Sequence, residues 1–259
     1  MTTLAVIAAR MGSSRMPGKV LEPVHGRPML ERMIERVRHS RYVDDIVIAT
    51  STLPEDLRLV EFGRDVGVNV FRGSPDDVLG RMHGAVTAHR PQLVVELLGD
   101  NPLVHAELID DTIDRHRAGR FEYTATVTTE YPRAPADAAR FPIGIRVQVF
   151  PPETLTRCEA EAKTPDYREH STSYIAEHPD RFAVGYLEAR GRWTDLHRPD
   201  LTFAVNYPQN HALIAALFDR CYATDPNFSL HDVIRAWDQD NSLHHLMGVP
   251  AAAHGKIAP

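Results

Sequence analysis

Three short apolar runs alternate with two helical patterns over the first 71 residues, and this alternation constrains the fold more than any other feature. The apolar runs cover residues 4–9, 43–50 and 68–71, and each has the length and the Val or Ile content of a buried strand. Residues 27–40 and 54–66 carry the spacing of amphipathic helices. The order strand, helix, strand, helix, strand predicts a parallel sheet with right-handed crossovers.

The segment directly after the first apolar run is a loop that carries cations. Residues 10–19 read RMGSSRMPGK, in which two glycines, two serines and a proline predict a loop. Arg10, Arg15 and Lys19 supply positive charge, and small residues at the end of a strand let backbone N–H groups approach phosphates. The loop therefore predicts a polyphosphate site. The alternative is an ordinary connection with solvated cations, because both common phosphate-loop motifs are missing.

Length, charge and composition exclude several classes of protein. The 259 residues suit one large α/β domain, and 43% hydrophobic residues are enough for a packed core. The formal net charge of -6 argues against a general nucleic-acid binder, whose binding surface is basic. No apolar run is long enough to cross a bilayer, and no signal peptide precedes the first strand. Cys158 and Cys221 lack metal-site spacing, so we expect reduced thiols in a cytoplasmic protein.

A carboxylate follows the most apolar strand of the chain. Residues 93–98 are interrupted only by Glu96 and lead into Gly99-Asp100-Asn101-Pro102. In open α/β sheets, ligands bind in the crevice at the carboxyl ends of the strands. Mg²⁺ binds carboxylate and phosphate oxygens, so Asp100 is the predicted metal ligand. The alternative is a turn residue before Asn-Pro.

The rest of the chain continues to alternate strands with helices. Residues 131–141 are rich in Pro, Ala and Arg and predict a loop over the site, and the tail from residue 248 has no periodicity. Ser229 is a plausible N-cap of the last helix. The other predicted strands are 123–129, 141–150, 182–187 and 201–205; the other predicted helices are 105–118, 155–162, 172–178, 210–223 and 230–237.

Five separated motifs, in order along the chain, resemble the cytidylyltransferase superfamily. They are IAARMGSSRMPGKVL (residues 7–21), GSPDDVL (73–79), GDNP (99–102), FPIG (141–144) and REHST (168–172). The superfamily includes enzymes that activate 3-deoxy-manno-octulosonate and the acylneuraminates. Within it, the chain is most similar to the branch of the spore coat polysaccharide biosynthesis protein SpsF. The resemblance covers roughly residues 4–240.

The resemblance implies a fold and an activity. The fold is a Rossmann-like nucleotidyltransferase α/β fold, with a mostly parallel central sheet and helices on both faces. A single domain would span residues 1–248, with an acceptor and dimer region inserted at about 130–190 and a loose tail at 249–259. The implied activity is transfer of CMP from CTP to an anionic acceptor, with Mg²⁺ as cofactor and pyrophosphate as the leaving group. The acceptor would be a sugar acid or another small acid such as a phosphonate, and the protein a homodimer.

Three groups of site residues follow from the loop, the motifs and the resemblance. Arg10, Lys19 and Asp100 are the predicted catalytic residues, with Asp100 and Asn206 at the metal. The predicted nucleotide-binding residues are Ala8, Ala9, Arg10, Gly12, Ser13, Arg15, Lys19, Ser74, Gly99 and Asp100. The predicted acceptor-binding residues are Arg81, Arg146, Gln148, Arg168, Glu169 and His170, and Arg133 is a further candidate. Glu169 and His170 are equally compatible with a structural role near a dimer contact, and Asp76 and Asp77 with capping of a helix.

The chain departs from the family pattern at four positions. Asn206 and Asn210 stand where relatives usually have acids, Gln148 where Glu is frequent, and Glu96 where Arg is common. Asn supplies a carbonyl oxygen to Mg²⁺ but no charge, so the change predicts weaker metal affinity. Two alternatives therefore stay open: a nucleotide-binding relative that has lost turnover, and a nucleotidyltransferase that uses another base.

Overall fold

The first half of the chain forms the parallel part of a seven-stranded sheet. The computed structural model describes residues 2–130 and 134–247. Its first elements are β1 (Thr3–Ala8), β2 (Pro23–Val24), β3 (Arg27–Pro28), α1 (Met29–Val37), β4 (Asp45–Ser51), α2 (Leu57–Val66), β5 (Asn69–Gly73), α3 (Val78–His89) and β6 (Leu93–Leu98). Strands β5, β4, β1 and β6 lie side by side in that order and are all parallel, whereas β2 and β3 form a separate hairpin. The alternation of strands and helices is confirmed.

The second half of the chain extends this sheet with an antiparallel strand. Its elements are α4 (Ala106–Gly119), β7 (Tyr123–Thr126), β8 (Gln148–Phe150), α5 (Pro152–Glu161), α6 (Pro165–Glu169), α7 (Ser173–Glu177), β9 (Val184–Leu187), α8 (Pro208–Tyr222) and α9 (Leu230–Gln239). Strand β8 is antiparallel to both β6 and β7, and β9 is parallel to β7. The full order is β5-β4-β1-β6-β8-β7-β9. The sheet is therefore mostly parallel, as predicted.

Helices cover both faces of the sheet. The side chains of β1 accordingly alternate between two apolar cores, one on each face. Ala5 and Ile7 pack with residues of α1 and α4 on one face. Leu4 and Val6 pack with residues of α3 and α5 on the other. A strand that is apolar at every position is expected where both faces are covered. The predicted α/β architecture with helices on both faces is confirmed.

The apolar run at residues 201–205 was predicted to be a strand, and this prediction is wrong. Only Thr202 makes a β-bridge, to Ile143. The Phe203 N–H donates to the Ile143 carbonyl at 2.6 Å, but the Val205 N–H donates to the Asp100 carbonyl at 2.9 Å. The backbone of this buried segment bonds first to Ile143 and then to Asp100, so no continuous strand ladder forms along it. Gly144 permits the crossing, since its φ is +95° and a Cβ there would lie 2.1 Å from the Ala204 nitrogen.

Several element boundaries also differ from those predicted. The strand predicted at 123–129 ends at Thr126, and only Gln148–Phe150 of the segment 141–150 is a strand. The helix predicted at 27–40 begins at Met29, because Arg27 and Pro28 pair with β2. The Ser229 cap is confirmed, with its side chain accepting the Asp232 N–H. The predicted loop over the site at 131–141 falls partly, and the predicted tail from 248 wholly, outside the described residues.

Neither cysteine has the exposed, low-pKa thiol of a reactive cysteine. Cys158 and Cys221 are both buried and unpaired. Burial raises the pKa of Cys158 to about 12 and that of Cys221 to about 11, so both remain protonated thiols at neutral pH. Among residues 2–130 and 134–247, no helix combines the length and the apolar character needed to cross a membrane.

Two buried histidines make the stability of this fold depend on pH. Burial, assisted by the charge of Arg36, lowers the pKa of His105 from 6.5 to about 4. Burial, assisted by Arg117, lowers the pKa of His116 from 6.5 to about 4. Between pH 6.5 and 4 the unfolded chain therefore binds protons that the folded chain does not. The stabilisation is complete above pH 6.5 and is lost as the pH falls toward 4.

We expect each of these two histidines to cost about 2 kcal/mol of unfolding free energy when the pH falls from 7 to 5. Denaturant unfolding at both pH values measures the loss. His116→Gln removes one titrating group and should reduce the pH-dependent loss by about that amount. His245→Gln replaces an exposed histidine and serves as the control. Equal losses in the wild type and His116→Gln would contradict the assignment.

Candidate functional site

The loop after β1 is closed on itself around Met11. The Met11 carbonyl accepts N–H bonds from Ser13 at 2.9 Å and from Gly18 at 2.8 Å. Gly18 has a φ of +74°, in the left-handed region that glycine adopts without strain. The Met11 side chain is buried beneath the loop and approaches Gly18. Residues 11–18 therefore form a compact loop rather than an open connection.

A buried carboxylate that sequence reasoning missed anchors this loop from below. The Met11 N–H donates to Asp56 Oδ1 at 2.6 Å. Asp56 Oδ2 accepts from the Ser51 N–H at 3.2 Å and from the Ser51 hydroxyl. From sequence, Asp56 is one of several acids in the first turn of a predicted helix, and nothing in that pattern distinguishes it from a helix cap. Its role depends on a contact 45 residues away in the chain.

The end of β6 lies directly beside the start of the loop. The Gly99 N–H donates to the Ala8 carbonyl at 2.9 Å. A Cβ on Gly99 would lie 2.9 Å from the Ala9 Cβ, so this position accepts only glycine without a shift of the backbone. The structure therefore brings together the predicted nucleotide-binding residues Ala8, Ala9 and Gly99.

A partly buried ion pair joins Lys19, at the end of the loop after β1, to Asp100, just after β6. Lys19 Nζ donates to Asp100 Oδ2 at 2.9 Å and to the Val205 carbonyl at 2.6 Å. Lys19 is only 8% exposed, so its charge is compensated mainly by these two oxygens. Two residues that were predicted to be catalytic, 81 positions apart in the chain, are thus in direct contact.

The two amides that replace family acids have different positions. Asn206 directly follows Val205, whose N–H bonds the Asp100 carbonyl, so its backbone lies next to that of Asp100. Asn210 is buried, and its Oδ1 accepts the N–H groups of Asn206 at 3.3 Å and Tyr207 at 3.0 Å at the start of α8. Asn210 therefore caps a helix, and Asn206 remains the amide beside Asp100.

Arg10 and Arg15 are the exposed cations of the loop. The Arg15 guanidinium lies 5.4 Å from the centre of the Tyr207 ring, so it reaches the start of α8 across the crevice. The Arg10 charge acts on the buried guanidinium of Arg81 and helps to lower its pKa, after the larger effect of burial. The positive charges of Arg10 and Arg81 therefore repel each other, and an anion bound near them would be stabilised by both. The predicted cationic character of the loop is retained in the fold.

Arg81 supports the turn after β5. Its Nη1 donates to the Ser74 carbonyl at 2.7 Å, and the side chain is buried under Gly73. The first helical turn of α3 is capped by Asp77, whose Oδ1 accepts the Gly80 N–H at 2.8 Å. Capping was one of the two interpretations of Asp77. Arg81 thus contacts the turn predicted to bind nucleotide, whereas the sequence analysis placed it at the acceptor.

Arg168 is held by two carboxylates. It donates to Glu159 Oε2 at 2.6 Å, to Glu159 Oε1 at 3.0 Å and to Asp77. The carboxylates of Glu159 and Asp77 raise the pKa of Arg168 further above its ordinary value. Arg168 therefore links α6 to the start of α3. Binding of an acceptor by Arg168 stays a prediction and would require it to share or exchange these partners.

Arg146 and Gln148 belong to a polar network at the start of β8. Gln148 Oε1 accepts from Arg146 Nη2 at 2.8 Å, from the Thr172 hydroxyl at 2.5 Å and from the Tyr123 hydroxyl. Arg146 Nη2 also donates to the Thr172 hydroxyl at 3.2 Å. Both predicted acceptor residues are therefore oriented by neighbouring strands and by the start of α7.

The departures at residues 96 and 148 are explained by the strand register. Glu96 and Gln148 are direct cross-strand partners in β6 and β8. Glu96 is 2% exposed, and burial raises the pKa of its carboxyl, which the Ser171 hydroxyl bonds. A glutamate at 148 would place two buried acids opposite each other, which is unfavourable. The amide removes that repulsion while its oxygen still accepts from Arg146.

Glu169 and His170 are exposed at the end of α6. His170 is close enough to act electrostatically on Glu130, as do Arg146 and Asp100. Glu130 therefore has His170, Arg146 and Asp100 as charged neighbours. Arg133 lies outside the described residues.

The donor set at Asp100 suits Mg²⁺ delivered with a triphosphate. Within residues 2–130 and 134–247, no three His, Cys, Asp or Glu residues are grouped closely enough to hold a metal ion. Asp100 provides one carboxylate, and the adjacent Asn206 is the predicted second oxygen donor. Mg²⁺ commonly uses one or two protein carboxylates and takes its remaining ligands from phosphates and water. The residues present fit that arrangement and do not form an all-protein cage.

Comparison with known proteins identifies relatives by sequence. The model of the family described as cytidylyltransferase matches residues 4–205. The spore coat polysaccharide biosynthesis protein SpsF of Bacillus subtilis is 33% identical over 236 residues, which are 89% of this chain and 92% of that protein. The 3-deoxy-manno-octulosonate cytidylyltransferase of Synechococcus elongatus is 36% identical over 147 residues, 56% of this chain and 58% of the enzyme.

Solved structures show the same fold. A cytidylyltransferase from Leptospira borgpetersenii superposes with a TM-score of 0.84 at 24% identity, covering 96% of this chain and 99% of the other. The CMP:2-keto-3-deoxy-manno-octonic acid synthetase complexed with CTP superposes with a TM-score of 0.61 at 15% identity, covering 85% of this chain and 99% of the other. The predicted Rossmann-like nucleotidyltransferase fold is confirmed.

Proposed function

The chain belongs to the cytidylyltransferase family, as a CTP-dependent nucleotidyltransferase, and from this premise we propose that it transfers CMP from CTP to an anionic sugar acid. The observation that carries the proposal is the Lys19–Asp100 pair at the junction of the cationic loop with the end of β6. In this proposal, Lys19 as a cation for the phosphates and Asp100 as a carboxylate for Mg²⁺ lie within one hydrogen bond of each other. A protein that only bound cytidine would not need this arrangement.

The phosphates of CTP would lie on the loop at residues 10–19. Arg10 and Arg15 are exposed there, and their guanidinium groups are suited to phosphate oxygens. The resemblance places the cytidine base against the turn at Ser74, which Arg81 holds from beneath. An acceptor oxygen attacks the α-phosphorus, the bond from that phosphorus to the β-phosphate bridging oxygen breaks, and pyrophosphate leaves with its negative charge stabilised by Arg10, Arg15 and Lys19.

Positioning and charge neutralisation would provide most of the catalysis. When bound at Asp100 and Asn206, Mg²⁺ would neutralise phosphate charge and lower the pKa of an acceptor hydroxyl, so that no dedicated protein base is needed. Lys19 would hold the Asp100 carboxylate in place through its 2.9 Å bond. Lys19 is buried while the Asp100 side chain stays 27% exposed, which leaves the carboxylate open to an incoming ligand.

The acceptor would lie on the β8 side of the crevice. Arg146 is oriented there by Gln148 and Thr172, and a guanidinium pairs well with a carboxylate or a phosphonate. His170 and Glu169 are exposed nearby and are candidates for contacts with acceptor hydroxyl groups. A sugar acid is favoured because relatives bear the names of 3-deoxy-manno-octulosonate cytidylyltransferase. A small phosphonate is the alternative acceptor.

Pyrophosphate release with each of the four nucleoside triphosphates and a panel of acceptors tests the proposal. Sugar acids, phosphonates and neutral sugars of similar size form the panel. We expect release only with CTP and an anionic acceptor. CTP binding without release for any acceptor would favour a relative that has lost turnover, and release with another triphosphate would contradict the choice of base. The homodimer stays a prediction, which sedimentation at micromolar concentration tests.

A further inference from the structure

Asp56 is the buried acid on which the cationic loop rests. It is 1% exposed, and its carboxylate bonds the loop backbone at Met11. Its carboxylate accepts three hydrogen bonds from two residues: from the Met11 N–H at 2.6 Å, from the Ser51 N–H at 3.2 Å and from the Ser51 hydroxyl. One carboxylate thus joins the last residue of β4 to the second residue of the loop.

Met11 transmits this contact to the whole loop. Its N–H is held by Asp56, while its carbonyl accepts the N–H groups of Ser13 and Gly18. The buried Met11 peptide therefore sets where both ends of the loop lie. Arg10 and Gly12, which flank Met11 in sequence, are exposed and face away from the core. Fixing Met11 consequently fixes the direction in which these neighbours present their cationic and N–H groups.

We infer that Asp56 is a positioning residue for the nucleotide phosphates, acting through the Met11 peptide rather than by contact with the ligand. A buried N–H without an acceptor is costly, so loss of the carboxylate releases Met11 from its present position. The loop then samples several conformations before binding, and the nucleotide has to order it. Preorganisation of this kind lowers the cost of binding. The Asp56 charge also offsets the repulsion between Arg10 and the buried Arg81.

The chain contains a matched contact at the opposite end of β1. Asp44 Oδ2 accepts the Thr3 N–H at 2.7 Å, a carboxylate-to-backbone bond of the same kind. Thr3 is the first residue of β1, at the end of the strand opposite to the loop. Asp44→Ala therefore removes a similar hydrogen bond from the same strand without touching the loop. Asp44 is exposed whereas Asp56 is buried, so Asp44→Ala should destabilise the fold less. Denaturant unfolding of both variants therefore measures the general loss of stability separately, and loop disorder is expected only with Asp56→Ala.

Limited trypsin digestion tests loop order without any assumption about activity. Trypsin cleaves after Arg10, Arg15 and Lys19, all of which lie in the loop. We expect Asp56→Ala to be cleaved there about tenfold faster than the wild type. Asp56→Asn keeps an oxygen for the Met11 N–H and should be intermediate. Loop cleavage rates that are equal in the wild type and Asp56→Ala, or raised equally in Asp44→Ala, would overturn the inference.

Steady-state kinetics tests the effect on the nucleotide. We expect Asp56→Ala to raise KM for CTP about tenfold, with kcat changed less than about threefold, because the Lys19–Asp100 pair is untouched. Asp56→Asn keeps an oxygen for the Met11 N–H but loses the charge, so its KM for CTP should rise by an intermediate factor of about three. If Asp56→Ala does not fold, Asp56→Asn carries the test against Asp44→Asn. A KM for CTP equal to that of the wild type in every foldable Asp56 variant would overturn the inference.

The inference rests on the proposed function, and the two fail in different ways. If the wild type shows no CTP affinity in calorimetry, the proposed function fails, and with it the role of Asp56 toward nucleotide. If the wild type binds CTP and releases pyrophosphate while Asp56→Ala binds CTP as tightly, the proposed function stands and the inference about Asp56 fails. Tight CTP binding by the wild type with about tenfold weaker binding by Asp56→Ala supports both.

Discussion

Lys19→Ala is expected to lower turnover of CTP by at least about 10²-fold. The change removes a cation for the departing pyrophosphate and leaves Asp100 without the partner that lies 2.9 Å away. It also leaves the Val205 carbonyl without the Nζ that bonds it at 2.6 Å. Pyrophosphate release at saturating acceptor measures the rate, and calorimetry measures CTP affinity.

Lys163→Ala is the matched control for this prediction. Lys163 is exposed, and its Nζ donates to the carbonyl of Glu159, four residues earlier, at 3.1 Å. Its removal should leave both the rate and the CTP affinity unchanged. Because removing one partner of a buried ion pair is destabilising, the fold of Lys19→Ala has to be checked by circular dichroism. A folded Lys19→Ala protein with the rate and CTP affinity of the wild type would show that the loop is not the phosphate site.

Asn206→Asp is expected to tighten Mg²⁺ binding to the nucleotide-free protein roughly tenfold, and Asp100→Asn is expected to abolish turnover. The two residues lie next to each other because the Val205 N–H bonds the Asp100 carbonyl. In the wild type Asp100 is the predicted carboxylate at this place, and Lys19 already compensates its charge. We therefore expect weak metal binding without nucleotide. Calorimetry with Mg²⁺ alone and then with CTP measures both states.

Asn210→Asp separates a local charge effect from an effect at the metal. Its side-chain oxygen caps α8, and aspartate serves equally well at the start of a helix. This variant adds the same charge to the same segment and should leave Mg²⁺ affinity unchanged. Tight Mg²⁺ binding by the nucleotide-free wild type, unaltered by Asn206→Asp, would place the metal elsewhere.

The effect of Asn206→Asp on turnover distinguishes the two interpretations of the amide. If the enzyme uses an acceptor that brings extra negative charge to the site, the added carboxylate repels it and slows the reaction. If the chain has lost turnover because the acid is missing, the same variant raises the rate from near zero. The pyrophosphate assay on the wild type and the variant decides between these outcomes.

Much of the architecture was predictable because it depends on local pattern. The segments that became β1, β4 and β6 are mostly apolar on both faces, with Glu96 interrupting β6, and only a strand covered on both faces buries such a segment almost completely. The helices between them carry apolar residues on one face. The cationic loop was predictable for the same reason, since its glycines, serines and cations lie within ten residues.

The pairing of residues across the chain was decided only by the tertiary structure. The apolar run at 201–205 has the composition of a strand, yet it bonds Ile143 and Asp100 in turn, because two different segments compete for its backbone. In the sequence, Gln148 stands where relatives frequently have glutamate and therefore suggests the loss of a functional acid. In the fold it faces Glu96, so an amide avoids two adjacent buried carboxylates.

The sequence by itself determined the fold class and the family and predicted the main site residues, because short segments carry each of these signals. Only the tertiary structure decided which charged residues form hydrogen bonds and ion pairs with each other. It paired Lys19 with Asp100, assigned Arg168 to Glu159 and Asp77, and placed Asp56 beneath Met11. A charge in sequence has no preferred partner until strands from distant parts of the chain lie side by side, and burial then makes an uncompensated partner costly.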